Sequence, residues 1–203
     1  MMQLRYSQTS PYVRKVMMVA FEAGVADRIE ISPTDVWAPD TPIVRDNPLS
    51  KIPTLVTEDG LVLFDSPVIA EYLDSLGGGG LFPATGNARW KALRQQALAD
   101  GICDAGVLRL LEGRRPESLR SADWADRQRR AVTRALDLLE REVTDLPPAD
   151  APTIGGIAVL AALGYLDFRF AKDGWRQGRP GLANWFEAAS ARDSFKRTAP
   201  PSE

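Results

Sequence analysis

Three short stretches hold residues whose types and spacing could do chemistry. The first is Asp65-Ser66-Pro67, set where a strand-like segment gives way to a helix. Aspartate or serine there can cap the helix, and proline suits its first turn. The same corner can also serve a ligand. A helix start presents free N–H groups and a positive dipole end, which favour a carboxylate. Ser66 adds a hydroxyl donor, and Asp65 supplies negative charge for an ammonium beside that carboxylate, so the pair suits the zwitterionic end of an amino acid. The second stretch is Ile52-Pro53, at the leading edge of a strand, where a proline is tolerated because it interrupts no ladder. A cis Ile52-Pro53 bond would turn the Ile52 N–H and C=O outward, free to pair with an extended peptide. Only about 5–6% of X-Pro bonds in folded proteins are cis, so spacing leaves both isomers open. The third is Thr9-Ser10-Pro11, where Ser10 reads as a helix N-cap.

These corners need elements to hold them. Leu4–Tyr6 reads as a strand, and Ser10-Pro11 opens a helix with Val13, Val16, Met17, Ala20 and Phe21 at helical spacing and Gly24 as its stop. Residues 28–32 form a second strand, with Ile29 and Ile31 on one face, which predicts a parallel pair joined by a crossover. Residues 33–48 carry four prolines and Trp37 and read as a loop. Residues 54–57 and 61–64 flank Glu58-Asp59-Gly60 as a hairpin, and the next helix starts at Ser66-Pro67. The order is βαβ, loop, ββα. Four glycines, Gly77–Gly80, then break the chain. Beyond them only helices are expected, at about 88–113, 123–144, 153–171 and 182–191. The reading is α/β plus all-α: a domain over 1–76, a linker over 77–87 and a helical bundle over 88–203.

Composition narrows the chemistry. The 203-residue chain has no histidine and a single cysteine, Cys103. That removes Ser-His-Asp and Cys-His catalysis, an intrachain disulfide and a cysteine-bound zinc, so no metal is expected. Net charge is −2, which gives no global basic field for nucleic acid. The most basic segment, 109–134, holds eight arginines and four acids and reads as a solvated helix surface. The longest apolar run, Ile157–Leu166, is too short to cross a bilayer, and the N-terminus carries no signal pattern; no membrane partner and a cytoplasmic location are expected.

The N-terminal half resembles the thioredoxin-like domain of cytosolic glutathione transferases. The resemblance rests on Ser10-Pro11-Tyr12-Val13-Arg14-Lys15-Val16, on Asn47-Pro48-Leu49-Ser50-Lys51-Ile52-Pro53, and on Phe64 through Tyr72 (FDSPVIAEY). The layout of the helical half matches too. ALADGICDAG, GYLDFRF and DSFKRTAPP are similar to a bacterial subgroup of the family. The resemblance implies glutathione as co-substrate and a small electrophile as its partner in reaction. It makes Pro53 the cis proline, with Ile52 paired to the cysteinyl backbone of glutathione. Asp65 and Ser66 hold the γ-glutamyl end, and Lys51 lies near the glycyl carboxylate. Ser10 is similar to the serine that contacts the sulfur in serine-type members, with Thr9 as its competitor. No reactive cysteine opens helix 1, which argues against thiol-disulfide exchange by the enzyme. Relatives often start the buried helix with a Ser/Thr-x-x-Asp box; here Thr153-Ile154-Gly155-Gly156 keeps the cap and lacks the carboxylate.

Other residues admit two readings. Asp100 and Asp104 share a helix face, either solvated or lining a ligand cleft or a partner subunit. Gly101 and Gly106 cost about 1 kcal/mol each in a helix interior, which predicts close backbone packing. Cys103 reads as a core residue, and Trp37, Trp175 and Tyr165 as core or as walls of an apolar pocket. A two-fold homodimer through helix 88–113 follows from the resemblance. The alternatives are a glutathione-dependent isomerase or dehalogenase, and a non-catalytic interaction module on the same fold.

Overall fold

The computed structural model describes residues 1–201. The chain divides into two compact units: residues 1–86 together with residues 193–201, and residues 87–192.

The first unit is built on four strands, β1 (Met2–Tyr6), β2 (Ile29–Pro33), β3 (Thr54–Val56) and β4 (Val62–Leu63), in the order β2-β1-β3-β4. β1 pairs with β2 in parallel and with β3 antiparallel, and β3–β4 is an antiparallel hairpin. Met2, Leu4 and Leu55 are fully buried, as period-2 patterning requires. Ile31 departs from expectation: it is 44% exposed where Ile29 is buried, because β2 is an edge strand and its outer half is poorly covered.

Helix α1 (Pro11–Glu22) and helix α2 (Ser66–Leu76) pack on each other. α1 ends in a Schellman arrangement, with Val25 N–H bonded to Ala20 C=O and Gly24 N–H to Phe21 C=O while Gly24 takes φ +70°. Gly77 does more than break the chain. A Cβ there would lie 2.3 Å from the Ala23 carbonyl oxygen, so the ends of α1 and α2 meet only because this position is bare. The buried Asp74 then accepts the N–H groups of Leu81 (3.1 Å) and Phe82 (3.1 Å), tying down the glycine run. A short helix, α7 (Asp193–Arg197), completes the unit by packing on α1.

The second unit is helical: α3 (Gly86–Arg114), α4 (Ala122–Arg141), α5 (Ile154–Phe170) and α6 (Pro180–Ser190). Residues 154–166 of α5 are all buried. With the turn that follows, α5 is long and apolar enough to span a membrane, longer than its apolar run alone indicates; 72% of that stretch is inside the unit, as in a core helix. Thr153 caps α5 by accepting the Gly156 N–H at 3.4 Å. The absent carboxylate at Gly156 has a steric reason, since a Cβ would lie 2.4 Å from Pro147 Cγ. Gly106 likewise faces Tyr165, whose ring would meet a Cβ at 2.9 Å, whereas Gly101 opens onto free space. Of this pair, only Gly106 is required by packing among the described residues. Tyr165, Trp175 and Cys103 are core residues of this unit, while Trp37, in the first unit, is 68% exposed. Burial, with Cys103 beside it, pushes the Tyr165 hydroxyl up to about 12.

Candidate functional site

Strand register decides where the chemistry-bearing corners fall. Arg5, next to the last residue of β1, sits opposite Thr54, the first residue of β3. Residues 7–10 and 51–53 therefore leave the sheet at the same end. Leu55 sits opposite Leu63, the last residue of β4, so Phe64-Asp65-Ser66 leaves there too. Lys51, Ile52, Pro53, Asp65, Ser66 and the Thr9-Ser10 start of α1 all belong to one end of one small sheet.

At the α1 start, Ser10 is the N-cap: its Oγ accepts the Val13 N–H at 3.3 Å, and its C=O accepts the Arg14 N–H at 3.0 Å. The capping reading is correct, and it leaves the other one intact. A capping oxygen uses a lone pair, so the hydroxyl proton is still available, and among the described residues it has no acceptor. Thr9 differs, because its Oγ1 lies 3.4 Å from Ser7 Oγ, one hydroxyl of that pair bonded to the other. Burial raises the Tyr6 hydroxyl above its ordinary value, so the phenol at the end of β1 stays protonated.

The Ile52-Pro53 peptide is cis. Among the described residues, the Ile52 N–H and C=O make no hydrogen bond, so this edge peptide is unpaired. Its orientation is held by a residue that the motif contained without a role. Asn47, 1% exposed, donates to the Lys51 C=O at 3.0 Å and to Thr54 Oγ1 at 3.1 Å, and its Oδ1 accepts the Leu49 N–H at 3.0 Å. Thr54 Oγ1 in turn donates to the Lys51 C=O at 2.8 Å. The Asn-Pro pair signals a side-chain turn in any sequence, yet its bond to Thr54 exists only once β3 is in place. Arg5 anchors the loop's other end through Asp46 (2.7 Å) and Ser32 (2.9 Å). The side chain of Lys51 is exposed and unpaired among the described residues.

At the third corner, Asp65 occupies the N-cap position of α2 by backbone conformation, but its side chain does not cap the helix. The exposed carboxylate has no ion pair or hydrogen bond among the described residues, and Ser66 beside it is 2% exposed. The expectation of plain capping at Asp65 thus fails. The helix start keeps its unsatisfied N–H groups next to a free carboxylate, an arrangement that accepts a carboxylate and an ammonium together. The Phe64-Asp65 peptide is also cis, a feature no residue pattern signals. No cluster of acidic or sulfur ligands able to hold a metal occurs among the described residues.

Residues 9–76 match the family model described as the N-terminal domain of glutathione S-transferases, and residues 122–188 match that of the C-terminal domain. The chain is 38% identical over 202 residues to an uncharacterized GST-like protein, YibF, of Escherichia coli K12, covering 98% of this chain and 99% of that one. A crystal structure of a glutathione transferase family member from Pseudomonas fluorescens Pf-5 with bound glutathione superimposes with a TM-score of 0.93, at 43% identity and full coverage of both chains. Another from that organism, with bound S-(propanoic acid)-glutathione, gives a TM-score of 0.89 at 41% identity, covering 100% of this chain and 99% of that one.

Proposed function

The chain belongs to the glutathione S-transferase family, and on that premise we propose that it is a serine-type glutathione transferase that activates the thiol of bound glutathione for attack on a small electrophile. Ile52 pairs with the cysteinyl backbone through its free N–H and C=O. Asp65 takes the γ-glutamyl ammonium, while Ser66 and the α2 start take its carboxylate. Lys51 attracts the glycyl carboxylate. Ser10 donates its hydroxyl proton to the sulfur, which favours thiolate over thiol. The thiol proton goes to solvent, and the thiolate forms a carbon–sulfur bond as the electrophile either releases its leaving group or accepts a proton. The enzyme stabilises the nucleophile that glutathione brings, so neither histidine nor a metal is needed. The thioether of glutathione bound to the Pseudomonas relative has the chemistry of such a product.

The observation that carries this reading is the Ser10 hydroxyl, which caps α1 through its oxygen and keeps a proton with no acceptor among the described residues. A hydrogen bond to a charged partner contributes about 1.5–3 kcal/mol, enough to lower the bound thiol by about 1–2 pKa units from its free value near 8.5. Thiolate absorbance of bound glutathione against pH tests this. Ser10→Ala returns the titration toward about 8.5 and slows turnover below neutrality by about 10- to 100-fold. An unchanged curve in Ser10→Ala with a shifted one in Thr9→Ala would move the role to Thr9.

A further inference from the structure

The C-terminal segment 193–201 is not used by the site, yet it lies along the helix that carries Ser10. α7 has five residues, too few for a helix to hold itself in water, so its fold depends on what it packs against. Polar and ring contacts fasten it to α1. Ser194, buried, bonds to Glu22. The Arg197 guanidinium stacks 4.1 Å above the Phe21 ring. Arg14, also buried, is held 3.9 Å over the Phe195 ring while its Nη2 donates to the Phe195 C=O at 3.1 Å. Arg14 stands one turn after Ser10, and its N–H makes the first full-turn bond of α1 to the Ser10 carbonyl. The cap bond itself, at 3.3 Å, is beyond the usual N–H···O range and restrains Ser10 weakly.

We propose that α7 is a strap that fixes the first turn of α1, with Arg14 as the positioning residue through which Phe195 orients Ser10. The proposal rests on Ser10 being the thiolate donor. A buried guanidinium needs such partners, and the Phe195 ring and carbonyl are two that hold this one. When these two loosen, Arg14 is held less firmly and the turn that starts at Ser10 frays more readily. Arg14 then acts on the reaction through Ser10, without touching glutathione.

Amide hydrogen exchange followed residue by residue, with the thiolate titration beside it, tests the strap in full-length protein. Phe195→Leu keeps an apolar side chain and removes the aromatic face. It should speed exchange of the Val13 and Arg14 amides by about tenfold and leave Ile69, on the first turn of α2, unchanged. It should also move the bound-thiol titration part of the way toward that of Ser10→Ala, and Phe195→Trp should restore both. Unchanged exchange at Val13 and Arg14 overturns the proposal. So does faster exchange with an unmoved titration, since α7 would then be merely structural. If Ser10→Ala itself leaves the titration unmoved, the reading of Ser10 fails and the strap's role falls with it, whatever the exchange shows.

Discussion

At the scale of residues, the site is a set of polar groups that the fold leaves unsatisfied. The Asp65 carboxylate sits at a helix start without capping it, and the Ile52 peptide sits at a strand edge without pairing among the described residues. Removing the charge should therefore affect a ligand more than the fold. Asp65→Ala should weaken glutathione binding by about 1.5–3 kcal/mol, as for a lost charge-assisted contact, with little change in stability. An analogue lacking the γ-glutamyl amino group should then bind wild type and mutant alike; a further loss in the mutant would place the ammonium elsewhere. The Asp65-Ser66 corner and Ser10 were legible in the sequence because acid, hydroxyl and proline types announce a helix start. The Asn47 clamp was not, since its bond to Thr54 needs β3 in place.

At the scale of elements, the strands, caps and hairpin followed from local signals: Ser10-Pro11, the Asp59-Gly60 turn, and Thr153 before the buried helix. α7 did not, because five residues show no periodicity and its stability comes from α1. Gly156 illustrates the same limit, since a missing carboxylate was visible in the motif but the contact with Pro147 was not. Gly156→Ala should destabilise by about 1–3 kcal/mol despite alanine's better helix propensity, because the proline ring cannot yield; urea denaturation measures it. The turn between α3 and α4 depends on Glu112, whose buried carboxylate accepts the Ser121 N–H at 2.6 Å and pairs with Arg115 at 3.3 Å. The Ser121 bond first, and Arg115 with it, hold its pKa below the usual glutamate range. A carboxylate depressed on folding stabilises above its unfolded pKa, about 4.3, and that contribution is lost as pH falls below it. The stability gap between wild type and Glu112→Gln should thus narrow as pH drops through that range. A gap independent of pH would mean that Glu112 acts only by packing.

At the scale of the whole molecule, one feature of α3 points outward. Gly101 is exposed, a Cβ added there would meet nothing within 4 Å, and a mid-helix glycine costs about 1 kcal/mol relative to alanine. Nothing among the described residues requires it, and we propose that α3 lies close to a second copy in the homodimer that the family resemblance implies. Sedimentation should give a species of twice the 22.3 kDa chain mass, and Gly101→Leu should shift it toward the single chain. A single-chain species in wild type at micromolar concentration would remove α3 as an interface. The sheet end bearing Ile52, Asp65, Ser66 and Ser10 is the proposed glutathione site, and calorimetric titration of the full chain with glutathione tests it. Saturable binding of one glutathione per chain, weakened in Asp65→Ala, is expected. No heat of binding up to millimolar glutathione would contradict it and leave the fold as an interaction module.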